Sequence, residues 1–401
     1  MARVRSPDGG QLPLFGPAPA AAPDEPAAAG PPAAPGAAGA GAPVGAVLPS
    51  AEVVELAARL PAGLHLGGST WSFPGWAGLV YDRAYSTARL GRDGLGAYAR
   101  HPLLRAAGID RTHYRPLPAA DLARYAAVVP ADFLFLVKAH EACTLERWPD
   151  HARYGAEQRG RPNPLFLDPG YAAAEVVAPY AEGLGARGGA LLFEFAPQNL
   201  GPPRRFAERL HAFLGALPRG PRYAVELRNR ELLTADYAAA LAAAGACHCL
   251  TVHPRMPDVR VQAHVTRALE RGAGEGQGAP APNRGEGGGP GAPVDTQGDL
   301  VVGRWLLGSG ATYEATARRF APFNRLAAPD PGARRAWAEL ARQALAAGRR
   351  FLLTVNNNAE GCAPLGIVAL VRELLAAPDG ALPDDPPRRL PVLHRSSTIQ
   401  R

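Results

Sequence analysis

Of the 43 basic residues in this 401-residue chain, a single one is a lysine, Lys138. It closes the apolar run FLFLVK, where a buried segment meets polar residues. A GC-rich coding bias accounts for the abundance of arginine and alanine. A lysine kept against that bias marks a position where a guanidinium does not serve. Lysine is a compact point charge whose pKa falls on desolvation, and it can act as a base or form a Schiff base. Arginine does neither. The alternative is a chance survivor that pairs with Glu194 or Glu226.

Other apolar runs end in polar residues in the same way. GALLFEF carries Glu194, with Gln198 after it; RYAVELR ends in Glu226 and Arg228; VVGRWLL carries Arg304; FLLTVNNN ends in Asn356, Asn357 and Asn358. LHLGGSTW supplies Ser69 and Trp71, and IDRTHY supplies Thr112 and Tyr114. Strand side chains alternate between faces, so Lys138 continues the row of Leu134 and Leu136, Glu194 that of Leu192, and Glu226 with Arg228 that of Ala224. Charges in such rows are costly unless they meet each other or a ligand. The expected division of labour makes Lys138 the catalytic group, with Glu226 and Arg228 orienting it. Trp71, Tyr114, Glu194, Arg304, Asn356 and Asn357 then bind a polar or anionic small molecule. The plainer alternatives are a structural Glu226–Arg228 ion pair, a Glu194 that satisfies a backbone group, and tryptophans that only pack. His113 and His253 read as ordinary barrel-end or helix-facing histidines.

Metal chemistry has weak support. No DxD, HExxH or His-rich spacing occurs, so no fixed transition metal and no cofactor is expected, although two carboxylates could hold Mg²⁺ with waters. The four cysteines, Cys143, Cys247, Cys249 and Cys362, form no CxxC pair. Cys247 and Cys249 share one face of a strand, which suits packing.

The elements that must position these residues alternate strand and helix. Strands are predicted at 64–70, 109–114, 133–138, 189–195, 222–227, 247–253, 301–307 and 351–356. Apolar spacings of three and four predict helices at 118–128, 171–184, 203–217, 234–245, 333–347 and 366–376. Eight strands with intervening helices define an α/β protein whose parallel sheet closes as a single (β/α)8 barrel of the triosephosphate-isomerase type. An open doubly wound sheet is the other option, but no GxGxxG follows the first strand. Residues 140–170, with Trp148, Tyr154 and NPLFLDPGY, make a long connection at the catalytic end and could form a lid. Composition divides the chain into an Ala/Pro/Gly-rich arm at 1–47, expected to be disordered, a barrel at 48–378, and a flexible tail at 379–401. A Gly/Pro-rich insertion occupies 272–298.

Four of these motifs carry a family likeness. GGSTWSFPGWAGLVY (67–81), PADFLFLVKAH (130–140), RYAVELR (222–228) and VNNNAEGCAPL (355–365) resemble, in order and spacing, the YecE-like family, domain of unknown function 72. The resemblance spans roughly 64–376. It implies a barrel of the triosephosphate-isomerase type with no established activity, and its recurrent polar positions fall on Trp71, Tyr114, Lys138, Glu226, Arg228, Arg304, Asn356 and Asn357. The chain departs from the family at the second strand, where Arg111 and His113 replace an amide and an aromatic. It departs again after the fourth strand, where FEFAPQNLGPP replaces a Gln-Pro-Pro turn.

The arm holds a second signal, Gln11-Leu12-Pro13-Leu14-Phe15. It is similar to the peptide by which bacterial replication and repair proteins dock on the sliding clamp. Leu12, Leu14 and Phe15 would supply the apolar anchors and Gln11 amide hydrogen bonds. That reading makes the protein a clamp-tethered accessory of DNA repair or replication. The net charge of +7 permits nucleic-acid contact without demonstrating it. Without a signal-peptide core or a ~20-residue apolar stretch, the expectation is a cytoplasmic protein with no membrane partner.

Overall fold

A computed structural model describes residues 42–269, 299–308 and 313–376. Among them eight parallel strands close a barrel in sequence order, each hydrogen-bonded to the next and the eighth to the first. They are β1 (Leu64–Gly68), β2 (Ala106–Ile109), β3 (Leu134–Lys138), β4 (Gly188–Phe195), β5 (Tyr223–Leu227), β6 (Cys247–Val252), β7 (Leu300–Trp305) and β8 (Arg350–Val355). The predicted α/β barrel is the observed one. The segment with Gln11, Leu12, Leu14 and Phe15, the 272–298 insertion and the 379–401 tail lie outside the described residues.

Strand alternation sorts the core into two layers. Leu134, Leu136, Ala190, Leu192, Ala224, Cys249, Leu300, Val302 and Leu352 fill the barrel interior with Ala106. The intervening residues, among them Phe135, Val137, Phe193, Val225, Leu250 and Phe351, face outward and pack under the helices. Cys249 therefore sits in the interior, with the half-buried Cys247 packed beside it.

The second strand lies earlier than its β-propensity suggests. Residues 109–114 were expected to form it, but the strand is Ala106–Ile109, and Arg111–His113 form a 3-10 turn. Alanine and glycine are poor strand formers, so propensity pointed to the β-branched and aromatic residues that follow. Packing decides otherwise. A Cβ on Gly108 would stand 2.5 Å from the Ser69 carbonyl oxygen, so a larger residue there would push β1 and β2 apart. The correction moves Thr112 and Tyr114 off the strand and places Asp110 immediately after its end.

The run predicted as a helix over 171–184 is continuous but changes pitch. Pro169–Tyr171 is α-helical, Ala172–Val177 is a π-helical turn, and Ala178–Leu184 is α-helical again. Pro179 explains the widened turn, because it lacks an N–H and its ring would collide with the carbonyl one α-turn back. At the other end, residues 42–47, read as the end of the arm, already pack on the barrel. Val44 is buried, Val47 N–H donates to Val80 O, and Ala46 bridges Tyr81.

Candidate functional site

The C-terminal ends of the strands carry the predicted charges into one place. Lys138 ends β3, Glu194 lies on β4, Glu226 on β5 with Arg228 just beyond it, and Arg304 on β7. Glu194 and Glu226 are direct cross-strand partners. Each of the five is at most 3% exposed.

Their contacts form a closed ionic network. Lys138 Nζ lies 2.9 Å from Glu194 Oε2, and Arg304 Nη1 lies 2.6 Å from the same oxygen and 2.7 Å from Glu226 Oε2. Arg228 Nε donates to Glu226 Oε1 at 2.6 Å, and its Nη2 lies 3.1 Å from Glu194 Oε2. Arg304 Nη2 reaches Asp110 Oδ2 at 3.4 Å. Burial pushes both glutamates upward, but the cations outweigh it. Arg228, Lys138 and Arg304 hold Glu194 well below the usual carboxylate range, and Arg228 with Arg304 lower Glu226. Both carboxylates are therefore anions committed to cations, which suits them poorly to acid catalysis. The buried five comprise three cations and two carboxylates, an excess of one positive charge that Asp110 offsets from the rim.

The remaining predicted residues are placed differently. Trp71 is buried edge-on against Tyr125, with ring centroids 5.1 Å apart, and forms part of the wall. Asn356 caps the short helix after β8, its Oδ1 accepting from Asn358 N–H. Asn357 Oδ1 accepts from Trp76 Nε1 at 3.2 Å and from Ala363 N–H at 2.8 Å. The two asparagines thus frame the mouth, and their side-chain hydrogen bonds go to Trp76, Asn358 and Ala363 and not to the five charges. Gln198 pins the following connection, with its Nε2 donating to Thr144 O and its Oε1 accepting from Glu146 N–H. Tyr114 stands above the network, 40% exposed.

A second layer was not anticipated. Glu141, three residues after Lys138, is buried and accepts from Arg153 Nη2 at 2.6 Å and from Tyr154 OH at 3.1 Å. His113 Nε2 lies 3.4 Å from the same oxygen. Burial, followed by the Lys138 charge, pushes His113 well below its ordinary pKa, so it is neutral. Arg153 and Tyr154 come from the long connection expected to form a lid. Its base is pinned where Trp148 N–H donates to Arg161 O and Asn163 donates to Ala142 O and Leu145 O. Asp110 escaped notice because the β2 register was placed late, whereas Glu141 was visible as an acid just past the lysine strand.

Among the described residues, no group of three or more His, Cys, Asp or Glu side chains is placed to hold a metal. The Glu194 and Glu226 oxygens named above face guanidinium or ammonium groups, so an Mg²⁺ ion there would have to displace them. No described helix is long and apolar enough to cross a membrane. A groove of about 1640 Å³ lies at the other end of the barrel, among Tyr223, Ala238, Ala242, Cys247, Asp299 and Arg349, and includes none of the site residues.

These features define a triosephosphate-isomerase-type barrel with a buried ionic network at the C-terminal ends of its strands. The chain belongs to the DUF72 family: the family model described as "Protein of unknown function DUF72" matches residues 65–390. Solved structures of DUF72 proteins resemble it distantly. One from Enterococcus faecalis is 15% identical, covers 79% of this chain and 97% of its own, and aligns with a TM-score of 0.49. One from Thermotoga maritima is 16% identical, covers 78% and 98%, and also gives 0.49. No protein of curated function matches the chain.

Proposed function

We propose that the protein is an enzyme acting on a small polar or anionic molecule that enters the mouth of the barrel and meets Lys138, Arg228 and Arg304. One observation carries the reading: Arg228 Nη1, buried within this cluster of three cations, makes no hydrogen bond among the described residues. Such an assembly is expensive to bury and weak evidence of a stability role, whereas dehydrated cations are what an anionic group or a developing negative charge requires. Lys138 serves in this reading as a point charge held by Glu194. Glu194 and Glu226 fix the cations, and Asn356 and Asn357 brace the rim.

The single lysine makes the test direct. Lysine-selective ¹³C labelling gives one side-chain signal, that of Lys138. Titration with inorganic phosphate and with malonate is expected to shift this signal saturably. Arg228→Lys should weaken the response about tenfold or more, because a point charge cannot replace a forked donor. No saturable shift with either anion, or a shift indifferent to that change, overturns the reading.

A second proposal rests on Gln11-Leu12-Pro13-Leu14-Phe15: docking on a bacterial sliding clamp, which would bring the barrel to nucleic acid. Capture of the full chain on immobilised clamp should be lost when Leu14 and Phe15 become alanine. Equal retention of both chains removes this proposal.

A further inference from the structure

The outer layer of the mouth holds a buried carboxylate whose main counter-charge comes from an exposed tongue. Residues 149–160 are exposed except at Pro149 and Tyr154. Arg153 and Tyr154 of the tongue both make polar contacts with Glu141 Oε2. The Arg153 guanidinium carbon sits 5.0 Å from the Tyr114 ring centroid and 4.5 Å from that of Tyr154. A carboxylate with an aromatic face beside it is the chemistry that recognises an organic cation. The fixed half of this arrangement, Glu141 and Tyr114, belongs to the barrel, and the cation belongs to the tongue.

Physical asymmetry follows from that division. Arg153 is about a third exposed, whereas the Glu141 side chain beneath it is buried. Burial raises the Glu141 pKa, and Arg153 is the largest influence opposing that rise. The other groups facing it are His113, which is neutral, Tyr154, and Lys138, already paired with Glu194. With the tongue displaced, Glu141 loses the cation that chiefly offsets its burial, and its place beside the Tyr114 ring is open to another.

We infer that Glu141 and the face of Tyr114 form an exchangeable site for a small organic cation, a guanidinium or primary ammonium. Arg153 of the tongue occupies it in this structure. Binding of such a cation displaces the tongue and uncovers the mouth. The site goes beyond the function proposed above and uses none of the five buried charges, so a negative phosphate titration leaves it standing.

The test uses the full chain with Arg153→Ala and, in parallel, Arg153→Gln, which keeps side-chain length on the exposed tongue. Methylguanidinium and n-butylammonium are titrated by calorimetry, with methylurea as the uncharged match for the guanidinium. Either variant should bind methylguanidinium about tenfold more tightly than the unaltered chain, which has to displace its own arginine. Adding Glu141→Gln should abolish the gain, and methylurea should not bind. The inference is overturned if both variants bind methylguanidinium no better than the unaltered chain. It also falls if the gain persists with Glu141→Gln, or if methylurea binds equally well.

Discussion

One guanidinium nitrogen organises the inner site: Arg304 Nη1 lies within 2.7 Å of oxygens from both Glu194 and Glu226. Taking it away removes one partner from each of two buried carboxylates and leaves Asp110 without its ion pair, and breaking a buried pair in this way typically costs about 3–5 kcal/mol. Arg304→Met is therefore expected to lower the free energy of unfolding in urea by that amount. Arg304→Lys should recover little, since a point charge cannot span both carboxylates and Asp110. Lys138→Met should cost less, because Glu194 keeps both Arg228 and Arg304. If Lys138→Met proves the more damaging change, the network is organised around the lysine instead. The cluster's membership was legible from parity, as Lys138, Glu194, Glu226 and Arg304 each continue an apolar interior row. Two of its pairings, Lys138 with Glu194 and Glu226 with Arg228, were among the alternatives the sequence offered. The bridge that Arg304 makes between both glutamates and Asp110 was not, because contacts between strands depend on barrel stagger, which no single strand records.

Strand β2 is held by what its neighbours leave room for. Its register against β1 pairs Gly67 with Ala106. A Cβ on Gly67 would lie 1.7 Å from the Ala106 carbonyl oxygen, and backbone cannot yield as a flexible side chain can. Gly67→Ala should destabilise by at least ~2 kcal/mol, by analogy with overpacked cores, or prevent barrel closure. Gly215 is the contrast: it ends the helix Pro203–Gly215 with nothing within 4 Å of an added Cβ. Gly215→Ala should raise stability by up to about 1 kcal/mol. Thermal melts of the two variants check the pair, and a shift of the same sign in both would contradict the packing account. Helices at 118–128, 203–217 and 234–245 were readable because periodicity is local. The β2 strand and the π turn before Pro179 were not, since close approach between strands and relief of a proline clash are both settled in three dimensions.

Across the whole molecule, buried histidines set the response to acid. Burial lowers His101 to about 4, His248 to about 4 and His253 to about 3, and lowers His113 as well. A base with a depressed folded pKa binds more protons when unfolded, so its contribution is present above about pH 6.5 and declines as pH falls below it. Glu194 and Glu226, depressed by their cations, add stability above about pH 4.3 that is lost on further acidification. Glu141 has the opposite sign, but it is one group against the six just named. The melting temperature should hold near neutrality, fall steadily from about pH 6.5 to 4.5, and fall faster below that range. An unchanged melting temperature between pH 7 and 5 would show that these histidines are not buried as neutral groups.

What the sequence determined by itself was the barrel and most of its inner charges. Eight apolar runs, each opening onto polar residues, dictate a closed parallel sheet, and alternation dictates which side chains enter its mouth. The tertiary structure decided how those charges are used. It committed both glutamates to arginines, drew Asp110 to the rim by shifting β2, and made Asn357 a brace for Trp76. It also brought Arg153 onto Glu141, twelve residues apart along the chain. These outcomes depend on distances between separate segments and on which groups lose their water, and both arise only when the chain closes on itself.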